Sequence, residues 1–311
     1  MKPRPTTAIR ASRLAERFGS EVLLVSETFQ ETGSFKFRAA AHVVASTPHS
    51  LYVTVSSGNF GQALARAAAL AGRRALVAMP VQSAAVKIDA VRAWGAEIDL
   101  VDTARVSRGE RLAQLAAEHP DAYVASPYDD PLVIAGNASL GREIAALAPD
   151  LDAVVVPVGG GGLAAGVLTG LRQAGARAEV WGAEPELAND AARSLRSGRI
   201  ESNEGEPATL ADGARTGSLG RHTWPILRYG LAGIVEIPEP AIRDAVRLLF
   251  ALANLKAEPT GALSAAALLV APERFRGRRV ACVVSGGNVD ARLYAELVAP
   301  DGAGERAEPR T

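Results

Sequence analysis

Short apolar stretches alternate along this chain with alanine-rich stretches of helical spacing, and this alternation constrains the fold more than any other feature. The apolar stretches lack polar alternation, which predicts strands in sheets that helices cover on both faces. They lie at residues 21–26, 51–55, 75–79, 153–158, 179–183 and 279–284. Helical patterns lie at residues 61–71, 84–94, 134–147, 163–174 and 242–252. This order predicts an α/β protein with mainly parallel, twisted sheets.

Turns that contain proline divide the chain into two predicted domains. They lie near residues 47–50 and 127–131 and bracket four candidate strands. We therefore expect a small domain of residues 49–130 and a large domain of residues 1–48 and 131–300. Residues 301–311 are rich in Gly, Glu and Arg and are predicted to be a disordered tail. The segment 196–224 has weak helix and strand signals and is predicted to be a long surface excursion.

Charge and cysteine content exclude several classes of partner. The 311 residues include 34 Lys and Arg and 34 Asp and Glu, so the net charge is zero. This balance argues against nucleic acid or an anionic membrane as the main partner. Cys282 is the only cysteine, which fits a reducing cytoplasm. Residues 1–7 are polar and proline-rich, unlike a signal peptide, and no apolar stretch approaches the length of a membrane span.

Lys36 lies between two aromatic residues, Phe35 and Phe37, after an apolar run and a Thr-Gly turn. Ser34 is expected to cap the helix that follows. An amine enclosed by aromatic rings loses water, and desolvation favours its neutral, nucleophilic form. Schiff-base chemistry with an aldehyde cofactor requires that form. Taken alone, the lysine is better explained as a solvated residue on an amphipathic helix, and the motifs further along the chain reverse that preference.

A serine- and glycine-rich turn, residues 56–62, follows the second apolar stretch. Such a turn at a helix N-terminus presents backbone N–H groups, hydroxyls and an amide to a carboxylate. The alternative is an ordinary turn in which Ser57 or Asn59 caps the helix.

Four consecutive glycines, residues 159–162, follow the apolar stretch 153–158. Their physical use is close approach of the backbone to an anion, with phosphate at the start of the next helix. Gly160, Gly162 and Ala165 also loosely satisfy the dinucleotide fingerprint, and Glu184 stands where a ribose-binding acid is expected. This segment alone therefore leaves an NAD(P)-dependent dehydrogenase open as an alternative.

A Ser-Gly-Gly-Asn segment, residues 285–288, follows the last apolar stretch. A serine hydroxyl at the carboxyl end of a strand can hydrogen-bond a heteroaromatic nitrogen in the crevice there. Capping of the next helix by Asn288 or Asp290 is an equally good local use of the segment.

These four segments together resemble the fold-type II (tryptophan synthase β-like) pyridoxal-phosphate enzymes, most closely the threonine/serine dehydratase and serine racemase branch. The resemblance covers residues 9–297 and keeps the motifs in the order of the family. It implies a two-domain enzyme, a homodimer, with the site in the cleft between domains. Because a dehydrogenase has no need of the Lys36 segment, the resemblance also argues against that alternative.

The resemblance implies a role for each motif. Lys36 would be the Schiff-base lysine, Phe35 would pack against the pyridine ring and Asn59 would bond the phenolic oxygen. Ser285 would face the ring nitrogen, and Glu258 would lie near the cofactor edge unless it is an exposed helix-start residue. The phosphate would be held by Gly159, Gly160, Gly161 and Gly162. The substrate would be bound by Ser56, Ser57, Gly58, Asn59 and Phe60.

The same resemblance implies a divalent-cation site in the segment 184–190. Glu184 and Asp190 would supply carboxylates and Ala188 a backbone carbonyl. Hard oxygen ligands of this kind suit Mg²⁺ or Ca²⁺. The alternative is a solvated acidic turn.

Two positions bear on the reaction and the substrate. Ser57 would lie opposite Lys36, where a hydroxyl could be the second acid/base that racemisation needs; binding the substrate carboxylate is the alternative use. Phe60 stands where the family usually has histidine, which makes the pocket more apolar.

We expect pyridoxal-phosphate-dependent deamination of a β-hydroxy amino acid, such as serine or threonine, to a 2-oxo acid and ammonia, with racemase activity as an addition. A serine beside the ring nitrogen makes the cofactor a weaker electron sink, which suits elimination. Lys36 would remove the α-proton as general base. The alternatives are β-replacement of the cysteine-synthase kind, the dehydrogenase, and a non-catalytic relative that binds cofactor or amino acid for regulation.

Overall fold

The computed structural model describes residues 1–56, 58–83 and 85–299, and it confirms the α/β class. The strands are β1 (Thr7–Arg10), β2 (Glu21–Ser26), β3 (Leu51–Val55), β4 (Arg74–Pro80), β5 (Glu97–Val101), β6 (Tyr123–Val124), β7 (Ala153–Pro157), β8 (Glu179–Pro185), β9 (Leu231–Ile237) and β10 (Arg279–Val284). The helices are α1 (Ser12–Phe18), α2 (Lys36–Ser46), α3 (Asn59–Leu70), α4 (Ala85–Ala93), α5 (Arg108–Glu118), α6 (Pro131–Leu147), α7 (Gly162–Gln173), α8 (Asp190–Ser197), α9 (Trp224–Gly230), α10 (Glu239–Ala253), α11 (Pro259–Val270), α12 (Pro272–Phe275) and α13 (Ala291–Val298). Among the helices of these described residues, none combines the length and apolar character needed to cross a bilayer.

Two sheets organise these elements. The larger has the strand order β1-β2-β10-β7-β8-β9, and the smaller has the order β5-β4-β3-β6. All neighbouring strands are parallel except β1, which runs antiparallel to β2 at the edge. Because parallel strands end at the same side of a sheet, the loops after β2, β7, β8 and β10 gather along one edge.

Helices cover both faces of the large sheet, as the unbroken apolar stretches predict. All five residues of β7 are buried, and alternate residues along it belong to different clusters. Val155 packs with α10 and α11, whereas Val154 and Val156 pack with α6 and α7. A third cluster joins α2, α3 and β3 around Phe37, which places α2 against the small sheet. α2 lies before residue 49, in the part of the chain assigned to the large domain, yet it packs with the small sheet. The predicted domain boundaries near residues 48 and 130 therefore stay a prediction.

Two edge strands lack the continuous apolar run that marks the other strands of their sheets. β5 at the edge of the small sheet is only partly buried and carries Glu97 and Asp99. β1, the edge strand of the large sheet, alternates exposed and partly buried residues. Edge strands face solvent and need no continuous apolar run, so their sequences resemble loops.

The segment 196–224 was predicted to be a surface excursion, and the structure corrects this in part. Leu219 and Thr223 within it are buried. Thr223 Oγ1 donates a hydrogen bond of 2.9 Å to Gly160 O, and Gly220 N donates to the same carbonyl. The segment is irregular because it packs over the glycine loop and follows the shape of that loop.

A buried ion pair fixes α2 in place two residues beyond Lys36. Arg38 is 1% exposed and Glu27, in the loop after β2, is 0% exposed. The guanidinium donates to both carboxylate oxygens, at 2.6 and 2.9 Å, and also to Glu143 of α6 at 2.7 Å. Burial raises the pKa of Glu27, and the hydrogen bonds and charge of Arg38 oppose this shift. A bidentate guanidinium–carboxylate pair is an arrangement in which a buried carboxylate is tolerated.

Substitution Arg38→Ala should destabilise the fold strongly, because it leaves Glu27 buried without its cation. We expect a loss of about 3–5 kcal/mol in the free energy of unfolding at pH 8. Because a buried acid with a raised pKa takes up a proton as the pH falls, the loss should be smaller at pH 5. Chemical denaturation at both pH values measures this.

The matched control is Arg74→Ala, which breaks an exposed ion pair with Glu97. That variant should lose less than about 1 kcal/mol at either pH. Equal losses in the two variants would contradict the role given to the buried pair.

Candidate active site

The sequence motifs follow strands of both sheets, and hydrogen bonds join several of them. Ser56 and Gly58 follow β3 of the small sheet. The glycine loop follows β7 and Ser285 follows β10, both in the large sheet. Lys36 begins α2, after the loop that follows β2. The carboxyl ends of parallel strands are where α/β proteins bind ligands.

The amine of Lys36 is enclosed on several sides. Nζ donates a hydrogen bond of 2.6 Å to Pro127 O. It lies 4.9 Å from the ring centroid of Phe35 and 5.6 Å from that of Phe60. Desolvation lowers the pKa of Lys36 to about 8, although the negative charge of Glu258 acts in the opposite direction. A lowered pKa increases the neutral fraction of the amine, which is the form that attacks an aldehyde.

A short antiparallel pairing ties the Lys36 segment to the loop after β10. Phe35 N donates to Ser285 O at 2.9 Å, and Gly287 N donates to Gly33 O at 3.0 Å. Ser34 and Gly286 form a β-bridge between these bonds. Ser285 is buried, one residue beyond β10. The pairing brings the lysine and the serine together although 249 residues separate them in sequence.

The expectation that Ser34 caps α2 is wrong. The residue before the helix is Phe35, and no described side chain caps its N-terminus. Ser34 lies one position too early, in the bridge to Gly286. Its Oγ is buried and has no hydrogen-bond partner within the described residues.

Asn59, the first residue of α3, reaches across the crevice to the large sheet. Its Nδ2 donates to the two carboxylate oxygens of Glu258 at 2.9 and 3.2 Å. Its Oδ1 accepts a bond of 2.8 Å from Nδ2 of Asn288. Glu258 is 5% exposed at the start of α11, so the alternative of an exposed helix-start glutamate is wrong.

The glycine loop has two reasons for lacking side chains. Tyr128 packs against it, and a Cβ on Gly160 would overlap the tyrosine ring, while one on Gly162 would lie 2.8 Å from Tyr128 Cα. Gly161 has φ +89°, a left-handed conformation that favours glycine. No described side chain caps α7, which begins at Gly162, so its first N–H groups can bind an anion. The loop therefore fits a phosphate.

The turn after β3 is only partly described, because Ser57 lies outside the described residues. Ser56 Oγ accepts a bond of 3.4 Å from Gly58 N. Gly58, not Asn59, precedes α3, and no described side chain caps this helix. Phe60 is 1% exposed and packs in the core of the small sheet, with its ring toward Lys36 Nζ.

The acidic residues after β8 form a separate buried group, which excludes the solvated-turn alternative. Both oxygens of Glu184 accept bonds, from the N–H groups of Ala191 at 2.9 Å and Ala192 at 2.8 Å. Asp190 is buried, and its Oδ2 has no hydrogen-bond partner within the described residues. Burial first, and then the charge of Asp190, raise the pKa of Glu184 well above its usual range. Burial also raises the pKa of Asp190 to about 6.

The sequence analysis did not predict the site contacts of three residues. The Pro127 carbonyl meets the lysine, Tyr128 packs on the glycine loop, and Asn288 contacts Asn59. Pro127 and Tyr128 follow β6, the shortest strand, whose two residues give no apolar signature. Of the two candidate caps for α13, Asp290 is the one that accepts from the helix N–H groups.

Comparison with known proteins identifies the family. The profile of the family described as "Pyridoxal-phosphate dependent enzyme" matches residues 1–286. The chain therefore belongs to the pyridoxal-phosphate-dependent enzymes of this fold, and the resemblance noted in the sequence is confirmed. The match argues against the dehydrogenase alternative, and the Glu184 carboxylate expected there to bind ribose is fully buried and accepts from the N–H groups of Ala191 and Ala192.

Several characterised relatives cover nearly the whole chain. L-threo-3-hydroxyaspartate ammonia-lyase of Pseudomonas sp is 35% identical over 297 residues, 94% of this chain and 92% of the relative. Serine racemase of Homo sapiens is 36% identical over 298 residues, 92% of this chain and 86% of the relative. The crystal structure of a threonine deaminase from T.th. superposes with a TM-score of 0.88 at 41% identity, and the match covers 93% of this chain and 94% of the other.

The lowered pKa of Lys36 predicts how the amine reacts with an aldehyde at different pH. The rate at which cofactor-free protein captures pyridoxal phosphate should rise with pH to a midpoint of about 8 and then level off. Because the charge of Glu258 raises this pKa, Glu258→Gln should move the midpoint to lower pH. Stopped-flow absorbance across pH 6–10 measures both. A midpoint near 10.5, or an upward move in the variant, would contradict the described enclosure.

Proposed function

We propose that this chain deaminates a β-hydroxy amino acid to a 2-oxo acid and ammonia, using pyridoxal phosphate. The observation that carries the proposal is the amine of Lys36, enclosed by Phe35 and Phe60 and bonded to Pro127, whose neighbour Tyr128 packs on the glycine loop, in a chain of this family. Two ammonia-lyases and a dehydratase, named for hydroxyaspartate or threonine, are among its relatives at 35% identity or more. The bound cofactor would withdraw electrons from the α-carbon of the substrate.

Lys36 would be both the attachment point of the cofactor and the base that removes the α-proton. Its Nζ is held by the Pro127 carbonyl, so the amine is oriented before substrate arrives. A pKa of about 8 lets it accept a proton and release it again near neutral pH. Phe35 and Phe60 exclude water from the amine, which keeps its proton affinity low.

The other residues would hold the cofactor at its edges. Asn59 would donate to the phenolic oxygen and Ser285 would face the ring nitrogen. Glu258 bonds Asn59 and would lie along the same edge. The phosphate would be held by the backbone of Gly159, Gly160, Gly161 and Gly162 at the uncapped start of α7.

The turn from Ser56 to Asn59 would bind the substrate carboxylate, with Ser57 as the candidate second acid/base. An uncapped helix start beside Gly58 supplies N–H groups for a carboxylate. A hydroxyl at Ser57 on the face opposite Lys36 would permit racemisation in addition to elimination. Phe60, whose buried ring lies beside the Lys36 amine, would make this wall of the pocket apolar.

A substrate panel with Lys36→Ala tests this function. The wild-type protein should show a cofactor band at about 410–420 nm and release 2-oxo acid from one or more of serine, threonine and threo-3-hydroxyaspartate. The variant should lose the band and at least about 1,000-fold of the activity, because cofactor attachment and proton removal both fail. Chiral analysis of the remaining substrate reports racemisation.

The control for the panel is Lys256→Ala, whose lysine is exposed and follows α10. It should keep the band. A Lys36→Ala variant that retains a borohydride-reducible cofactor bond would contradict the assignment. Formation of a substituted amino acid on addition of a thiol, in place of 2-oxo acid, would instead favour β-replacement.

We further propose that Glu184, Asp190 and the carbonyl of Ala188 bind Mg²⁺ or Ca²⁺. Two buried carboxylates, one with an unpartnered oxygen, suit a hard cation. The carbonyl of Ala188 would be the third protein ligand, since the described residues hold no group of three or more His, Cys, Asp or Glu that could bind a metal by side chains alone. Ala188 is buried in the short 3-10 turn between the two acids.

The two buried acids predict how the stability of the protein changes with pH, without and with a bound cation. Without cation, both acids have raised pKa values, so the native state binds more protons than the unfolded state. Stability should therefore fall as the pH rises from about 4 through about 6. Millimolar Mg²⁺ or Ca²⁺ should raise the melting temperature at pH 8 relative to EDTA, and less so at pH 5.

Asp190→Asn should abolish the cation-dependent rise in melting temperature. Asp212→Asn, which alters an acid in the 3-10 turn 212–214, is the matched control and should keep it. An unchanged rise in the Asp190 variant would contradict the site.

Homodimer formation and a cytoplasmic location stay predictions of the sequence.

A further inference from the structure

Asn288 holds the Asn59 amide from the side opposite Glu258. Its Nδ2 donates two hydrogen bonds of 2.8 Å, one to Thr32 O and one to Asn59 Oδ1. A backbone carbonyl can only accept, so the Thr32 contact fixes which end of the Asn288 amide faces the crevice. Nδ2 has two hydrogens, and these two acceptors use both.

The orientation of Asn288 dictates the orientation of Asn59. The end of Asn59 that meets an N–H donor must be its oxygen. Nδ2 of Asn59 then lies on the other side, where Glu258, an acceptor when ionised, receives it at 2.9 and 3.2 Å. Both contacts are to one carboxylate, so a single N–H shared between its two oxygens would leave the second N–H of Asn59 for the cofactor. A donor on one side and an acceptor on the other leave one low-energy orientation of the Asn59 amide.

The backbone is arranged to place Asn288 at this contact. Gly33 has φ +72°, and a Cβ there would overlap Oδ1 of Asn288. Gly287 N donates to Gly33 O, which holds the adjacent residue. Since Asp290 caps α13, Asn288 has no part in starting that helix.

We propose that Asn288 is a positioning residue that fixes the Asn59 amide with its N–H side toward the phenolic oxygen of the cofactor. This inference rests on the proposed function, in which Asn59 contacts that oxygen. A reversed Asn59 amide would present its Oδ1 to the phenolic oxygen of the cofactor. That phenolic oxygen would be an acceptor too, because it would be negatively charged or share a proton. Such a contact is repulsive, so the orientation should affect both cofactor affinity and the absorbance of the bound cofactor.

Two variants of Asn288 separate orientation from simple loss of a contact. Asn288→Ala removes both bonds without imposing an orientation. Asn288→Asp has nearly the same shape but places acceptors opposite Asn59, so that acceptors face the amide on both sides and its orientation is no longer fixed. Cofactor-free proteins are titrated with pyridoxal phosphate, and the dissociation constant and spectrum are recorded. We expect Asn288→Asp to bind at least about tenfold more weakly than Asn288→Ala, with a shifted absorbance maximum.

A double variant tests the same point from the side of Glu258. In Asn288→Asp with Glu258→Gln, the glutamine can donate to a reversed Asn59, so the amide is bonded at both ends in the wrong orientation. Its melting temperature should exceed that of Asn288→Asp, yet its cofactor affinity should stay at least about tenfold below that of Glu258→Gln alone. In Glu258→Gln alone, the glutamine oxygen can accept from Asn59 and keep its orientation.

Equal affinities in the Ala and Asp variants, or full recovery of affinity in the double variant, would overturn the positioning role. Either result leaves the proposed function standing, because wild-type protein would still bind the cofactor. Wild-type protein that shows no cofactor bond at Lys36 would instead overturn the proposed function itself.

Discussion

The pairing of residues 33–35 with residues 285–287 is the interaction on which the site depends. Its two backbone bonds and one bridge join the start of α2 to the end of β10. Backbone bonds of this kind do not depend on side-chain identity, so they fix a distance between the Lys36 and Ser285 segments that substitutions around them change little. The buried Arg38–Glu27 pair then holds the same helix from its other side.

Features that depend on local chemistry could be predicted from the sequence. The buried strands are unbroken apolar runs, and the glycine loop is visible in the composition of residues 159–162. The Lys36 segment and the Ser-Gly-Gly-Asn segment each follow an element whose end is visible in the sequence. Family resemblance then supplied a role for each residue, because the motifs occur in a fixed order.

Contacts between segments that lie far apart in the sequence could not be predicted. The Pro127 carbonyl meets Lys36 Nζ across 91 residues, and every residue has a carbonyl, so nothing marks this one. The sequence around Glu258 is that of an ordinary helix-start glutamate. Its burial, and its bond with Asn59 of α3, join residues 199 positions apart and leave no local signal. Ser34 has the composition of a cap, but its backbone is used in the bridge to Gly286.

Tyr128 provides a second, steric reason for glycine in the loop of residues 159–162. Its ring occupies the space that a side chain on Gly160 would need, and its backbone crowds Gly162. Glycine at position 160 is thus required by the neighbouring Tyr128 ring, independently of the anion that the loop is proposed to bind. Among natural variants of this chain, a side chain at 160 should appear only together with a smaller residue at 128, whereas Gly161, with its positive φ, should stay glycine regardless.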